Sequence, residues 1–214
     1  MTIAIPRLDR TTAADRGLTI ADFLVPIRVG ERVDARSRDL ALVVAGAILI
    51  YLTARIAIPV PGSPVPITGQ TFGVLVVSGA LGLRRGAIAV ALYVALGVIG
   101  LPFFAEGKGG LTILTGATGG YLLGFIVAGA VVGRLTELGW DRQLGGSLAA
   151  MLIGSAIIYA FGLPWLMAVA GMTPADTVAK GLTPFLIGDA LKLALAAGLF
   201  PAAWWFVGRR PDDR

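Results

Sequence analysis

The chain lacks cysteine and histidine altogether. That removes disulfides, thiolate nucleophiles, imidazole bases and the usual zinc ligands as sources of chemistry. Charge is scarce as well: 14% of the 214 residues are charged against 56% hydrophobic, and the mean hydropathy is +0.83. Soluble domains carry roughly 25% charged residues. A chain this poor in charge reads as an integral membrane protein with its own bundle, the lipid membrane being its first partner. The formal net charge of +5 invites a nucleic-acid reading. The basic residues, however, stand at the ends of apolar runs rather than in one patch, which is a topology signal. No nucleic-acid partner is expected.

What is abundant is apolar sequence and glycine. Six apolar runs fall at about 39–58, 67–83, 86–101, 117–138, 145–165 and 183–207. A helix needs roughly 20 residues to cross the hydrocarbon core. The second and third runs are shorter, so they should stand upright or be shielded by neighbours. Only Arg84 and Arg85 connect them, which forces an antiparallel hairpin. Many of the 30 glycines lie inside these runs, where lipid favours close helix contact over helix breaking.

Charge orients the bundle. Arg28, Arg32, Arg36 and Arg38 precede the first run, Arg84 and Arg85 join the second to the third, Arg134 and Arg142 follow the fourth, and Arg209 and Arg210 follow the sixth. All of these lie on one side if both termini do, leaving only Arg55, Lys108 and Lys180 opposite. The positive-inside rule then places both termini in the cytoplasm. The expected fold is an all-α membrane protein: a bundle of six transmembrane helices over 39–210, preceded by a cytoplasmic arm over 1–38. The arm holds no apolar core with a small-residue cleavage site. Within it, residues 18–28 (LTIADFLVPIR) read either as a short amphipathic segment on the membrane surface or as a flexible tail.

The outward connections are unusual. Residues 59–66, PVPGSPVP, carry four prolines in eight positions, a stiff extended composition. Residues 102–120, PFFAEGKGGLTILTGATGG, set two phenylalanines among dense glycine, as a lid over something apolar would. Residues 166–182 should hold a short helix beginning near Pro174. Each also reads as a plain connector; together they point to a covered pocket.

Beneath them lies the stretch 186–195, LIGDALKLAL, with an acid and a base inside an apolar run. Thr183 and Pro184 supply an N-cap and a first-turn proline. Asp189 then lies roughly 8 Å and Lys192 roughly 12 Å below the outer helix end, on one face because i and i+3 are neighbours. Ionisable residues within a membrane face the bundle interior or a polar cavity. A structural ion pair is one reading; since two apolar residues would usually serve stability as well, a ligand needing an acceptor beside a cationic donor is the better one. Gln70, Tyr159 and Tyr93 lie at matching depths, and Gln70 is the strongest of them because an amide has four hydrogen-bonding positions to satisfy. Trp140, Trp165, Trp204 and Trp205 fall at run ends and read as interface anchors.

An enzyme is not expected. Asp189 is the only acid well inside a run, so no aspartate dyad exists. Ser78 and Ser155 are nucleophiles on paper only, since Lys192 already has Asp189 beside it. GKGG and TGATGG do not form GxxxxGK[ST], so the chain should not itself hydrolyse ATP.

Three blocks carry a resemblance: PVPITGQTFGVLVVSGALGLRRGAIAVALYVALGVIGLPFF, then GGLTILTGATGGYLLGF (109–125), then FLIGDALKLALAAGL (185–199). In this order they resemble the BioY family, the biotin-binding S components of energy-coupling factor transporters. The resemblance implies six transmembrane helices and a biotin pocket open to the outside. It also implies assembly with a transmembrane coupling subunit and two ATP-binding-cassette ATPases, which hydrolyse the ATP. The chain itself then needs no cofactor and works in the cytoplasmic membrane. Asp189 and Lys192 match the family's Asp-x-x-Lys pair, Gln70 its Pro-x-Thr-x-Gln motif, and Tyr93 the pattern after the basic turn. Phe103, Gly109, Gly110, Gly119 and Gly120 fall in the loop that helps close the pocket. Ala117 stands where the family often has proline, and Gly69 where a bulkier residue is common. Ala41 and Ala45, one turn apart, resemble the family's docking motif for the coupling subunit; packing inside the bundle is the alternative.

Biotin suits these residues. An aspartate accepts from its ureido N–H groups; a lysine either donates to the ureido oxygen or neutralises the carboxylate, and the sequence leaves both open. Two other classes compete: an ion-coupled secondary transporter with Asp189 as proton carrier, and a scaffold whose ion pair is structural.

Overall fold

A computed structural model describes residues 19–24 and 35–208. Its helices are α1 (Ile20–Leu24), α2 (Ala35–Ala54), α3 (Gln70–Val98), α4 (Leu111–Thr115), α5 (Gly119–Glu137), α6 (Leu144–Ala170), α7 (Pro174–Gly181) and α8 (Leu186–Gly208). Between α2 and α3 two short strands, β1 (Ala57–Ile58) and β2 (Ile67–Thr68), pair antiparallel. Among the described residues, five stretches are long and apolar enough to cross a membrane: Arg36–Ala54, Gln70–Val98, Gly119–Glu137, Leu144–Ala170 and Pro174–Val207. The architecture is that of an all-α multi-pass membrane protein.

The 29-residue α3 is not straight. Gly82 has φ 82° and ψ −177°, a conformation that essentially only glycine adopts. Gln70 Nε2 donates to the Tyr93 hydroxyl at 2.5 Å, although 23 residues of continuous helix would separate them by about 35 Å. The chain therefore doubles back, and its two halves pack on each other. The turning point is Gly82, two residues before the arginines assigned to the connection from sequence. Gly133 of α5 explains why: a Cβ there would stand 2.5 Å from the Gly82 carbonyl carbon, so α5 presses against the break. Side chains satisfy backbone groups that the break leaves open. Glu137 Oε1 accepts from Leu83 N at 2.9 Å, and Arg85 Nε donates to the Leu81 carbonyl at 3.1 Å.

Residues 19–24 pack against the bundle rather than trailing as a flexible tail. Thr19, Ile20 and Ala21 are buried against the bundle, and Phe23 meets Trp204 edge to face at 5.2 Å. Asp22 fixes the segment: it accepts from Arg85 Nη1 and Nη2, both at 2.8 Å, and from Arg38 Nη2 at 3.1 Å. Burial alone would raise the Asp22 carboxyl, but the hydrogen bonds from Arg85 and Thr19 outweigh it and hold its pKa at about 2. The rest of the 18–28 stretch, like the other residues of the 1–38 arm before Ala35, lies outside the described residues.

A second polar knot closes the same end of the bundle. Asp141, in a 3-10 turn after α5, is fully buried and accepts from Trp204 Nε1 at 2.6 Å. The Arg142 guanidinium lies 3.3 Å over the Trp204 ring. Burial pushes the Asp141 carboxyl up, against the opposing pull of Arg142 and Trp204. Trp204 is thus a core residue rather than the interface anchor expected from its position at a run end. Trp165 likewise spends its indole N–H on the Gly116 carbonyl, at 2.9 Å.

At the other end the expected helix after Pro174 is present as α7, capped by Thr173. The sixth run starts differently from expectation. Thr183 and Pro184 belong to a 3-10 turn, Thr183–Phe185, and the Thr183 hydroxyl donates to the Val178 carbonyl instead of capping α8. The proline-rich connection is anchored by Ser63, whose hydroxyl donates to the Lys180 carbonyl at 2.8 Å.

Candidate functional site

One cavity of about 970 Å³, its open mouth included, lies among α3, α5, α6, α8 and the connection before α5. Its walls are largely apolar and aromatic: Phe104, Ile113, Leu122, Phe125, Ile158 and Phe185. That is the make-up of a small-molecule site, with few polar groups to set orientation.

The polar groups converge from three helices. Asp189, in the first turn of α8, receives Lys192 Nζ on Oδ1 at 2.9 Å and the Tyr159 hydroxyl of α6 on Oδ2. Lys192 Nζ also donates to Thr71 Oγ1 of α3, at 3.2 Å. The pair is sheltered, with side chains 10% and 19% exposed for Asp189 and Lys192. Its bonding is still incomplete. A carboxylate offers about four lone-pair sites, and an ammonium has a third proton. The site can therefore accept from a ligand N–H at Asp189 and donate to a ligand oxygen from Lys192.

Gln70 opens α3 beside them and lines the cavity. Its two amide atoms are held from opposite sides: Thr68 Oγ1 donates to Oε1 at 3.0 Å, and Nε2 donates to Tyr93. One amide proton remains for a ligand. Tyr93 is itself fully buried, outside the cavity lining, and orients Gln70 from behind.

The five polar residues singled out from sequence thus form one connected region, four on the cavity wall and Tyr93 supporting it. The loop residues divide similarly. Phe104 lines the cavity, while Phe103 stacks on Tyr51 at 4.6 Å. Gly116, Ala117 and Thr118 reach the lining. Gly109, Gly110, Gly119 and Gly120 shape the connection without lining it; Gly120 lies hard against the Trp165 ring, which lets α5 and α6 close together. Ser78 and Ser155 are both absent from the cavity wall.

Tyr121 is a wall residue that sequence reasoning did not single out. Tyr121 donates to the Gly181 carbonyl at 3.0 Å and meets Tyr159 edge to face at 6.2 Å. The available signal was a hydroxyl on the outer turn of an apolar run, which is common and therefore weak.

The BioY family profile matches residues 28–209. The chain belongs to the BioY family. A Rhizobium etli protein named biotin transporter BioY is 38% identical over 169 residues, covering 75% of this chain and 90% of that one. A Thermotoga maritima protein of the same name is 38% identical over 156 residues, covering 73% and 90%. The crystal structure of the S-component for biotin from an ECF-type ABC transporter shares the fold. Its TM-score is 0.72 at 26% identity, covering 78% of this chain and 90% of that one. Residues 19–24, seated on the bundle by Asp22, lie outside the range matched to BioY.

Proposed function

We propose that this BioY chain binds biotin in the cavity and serves as the substrate-capture subunit of an ATP-driven ECF importer in the cytoplasmic membrane. The observation that carries the reading is the acid–base pair on the cavity wall, Asp189 with Lys192, held by Tyr159 and Thr71. Biotin's ureido ring presents two N–H donors flanking a carbonyl acceptor, the complement of a carboxylate beside an ammonium. The apolar walls take its thioether ring and acyl chain.

Six crossings with both termini cytoplasmic follow from counting the two halves of α3 separately, and the reversal at Gly82 supports that count. The outer face then carries the cavity, and the inner face carries Arg84, Arg85, Arg134 and Arg142. A transmembrane coupling subunit and two ATPase subunits complete the importer, ATP being hydrolysed by the latter. Ala41 and Ala45 form the docking stripe. Both are exposed, whereas Val43, Gly46, Ala47 and Ile50 turn inwards.

An ion-coupled carrier is not favoured. Asp189 is already engaged by a lysine and a tyrosine, and the relatives are named as biotin transporters. Retention of labelled biotin by the purified chain tests the binding reading, and no retention would refute it. Uptake into sealed vesicles carrying the full assembly should follow internal ATP. Uptake driven by a proton gradient alone would refute the coupling.

A further inference from the structure

Four charged residues line the cavity, and they form two acid–base pairs at different depths: Asp189 with Lys192 inside, and Glu106 with Lys108 at the rim. The inner pair is sheltered, while the rim side chains are 32% and 58% exposed for Glu106 and Lys108. The rim pair sits on a tight turn. Phe104 N donates to the Lys108 carbonyl at 2.9 Å, and Lys108 N to the Ala105 carbonyl at 3.1 Å. Phe104 is buried against Gly97 and meets Tyr93 edge to face, so the base of the turn is bolted to α3.

Among the described residues Glu106 alone, glycines aside, has positive φ, at 58° with ψ 18°. Left-handed backbone is unfavourable for a side-chain-bearing residue and persists where surrounding structure imposes it, often at ligand clamps. Here it brings the Glu106 carboxylate onto the Lys108 ammonium over the cavity mouth. The Arg55 guanidinium, next to Gly107 of the same turn, adds a second cation outside the lining.

We propose that Lys108 reads the carboxylate of the ligand, and that Glu106 holds its place when the cavity is empty. This deepens the biotin reading and rests on it. With the ureido ring on Asp189 and Lys192, the acyl chain runs towards the mouth and its carboxylate reaches Lys108. There it takes over the ammonium, and Glu106 swings out to water. The exchange trades one carboxylate for another on the Lys108 ammonium, and the displaced Glu106 is solvated at the exposed mouth. It also makes the site selective for ligands ending in a free carboxylate.

The test is a comparison of dissociation constants for biotin and biotin methyl ester on the purified full chain. The wild type should prefer biotin by about 5-fold, the scale of an exposed ion pair. Lys108→Met should erase that preference by weakening biotin alone. Glu106→Gln should tighten biotin by roughly 2- to 5-fold, because a competing carboxylate is gone, and leave the ester unchanged. Lys180→Met removes an outer lysine that does not line the cavity, and should change neither ligand. Equal wild-type affinity for acid and ester, or equal weakening of both by Lys108→Met, overturns the assignment while the biotin reading stands. If the wild type retains neither compound, the biotin reading falls and this proposal falls with it.

Discussion

Removing the inner charges one at a time and then together separates a ligand site from a structural ion pair. Asp189→Asn keeps the shape but leaves Lys192 a cation with only Thr71 and the amide oxygen for partners. Lys192→Met is harsher, since it takes away the cation beside Asp189 and leaves that sheltered carboxyl with only the Tyr159 hydroxyl. Breaking a buried pair from one side costs about 3–5 kcal/mol, and residual exposure of both groups places these variants at the lower end of that range. Biotin binding should weaken by a further amount of its own. A charge-assisted hydrogen bond is roughly twice as strong as a neutral one, so Asp189→Asn should lose about 1–3 kcal/mol, or about 5- to 150-fold. Lys192→Met should lose at least as much. The double variant decides the matter. With no charge left unpaired, its melting temperature without biotin should return close to wild type. Its biotin affinity, read by equilibrium retention on the purified chain, should stay as low as in the weaker single variant. Wild-type binding by the double variant would refute the site.

Three further outcomes follow from the same geometry. Because the chain has no cysteine, Leu111→Cys and Thr173→Cys should label with an impermeant thiol reagent in intact cells and Arg84→Cys should not; labelling at residue 84 would invert the topology. Replacing Ala41 and Ala45 with tryptophan should abolish co-purification with the coupling subunit and spare biotin retention; lost retention with intact assembly would put those alanines inside the bundle. Asp22 has its folded pKa depressed from 3.8 to about 2, so its contribution to stability is complete above about pH 4 and disappears as pH falls from there towards 2. The gap in melting temperature between wild type and Asp22→Asn should accordingly be flat above pH 5 and close below pH 4, and a gap that widened on acidification would contradict the ion-pair assignment.

The residues that sequence reasoning found are those whose chemistry conflicts with their surroundings. An aspartate and a lysine in LIGDALKLAL are conspicuous because hydrocarbon penalises both, and the structure places them on a cavity wall. Pro174 marked α7 because threonine followed by proline specifies a helix start on local grounds. Features that depend on distant partners were not legible. Nothing distinguishes Gly82 among 30 glycines until Gly133, 51 positions later, closes against it. Trp204 looks like any tryptophan at a run end; only the approach of Asp141, 63 positions away in sequence, makes it a buried donor. The same holds for Tyr93, whose neighbour Gln70 is 23 residues back and close only because the helix folds over.

Three sheltered aspartates show how one penalty is turned to different ends. Asp22 is saturated by Arg85, Arg38 and Thr19, and none of these groups lines the cavity. Asp141 is shut in by Trp204 and Arg142, also away from it. Both join segments far apart in sequence, so their removal should loosen the fold without selecting among ligands. Asp189 differs in a single respect that matters: its partners Lys192, Tyr159 and, through the lysine, Thr71 all stand on the cavity wall with bonding capacity unspent. A buried ion pair alone is weak evidence for function, since apolar residues often replace it without loss. A buried ion pair that is incompletely bonded, opens onto a cavity and is flanked by aromatic walls has a use for its cost. That contrast, rather than the presence of charge, is the ground on which we propose α8 as the ligand-reading helix of this BioY chain.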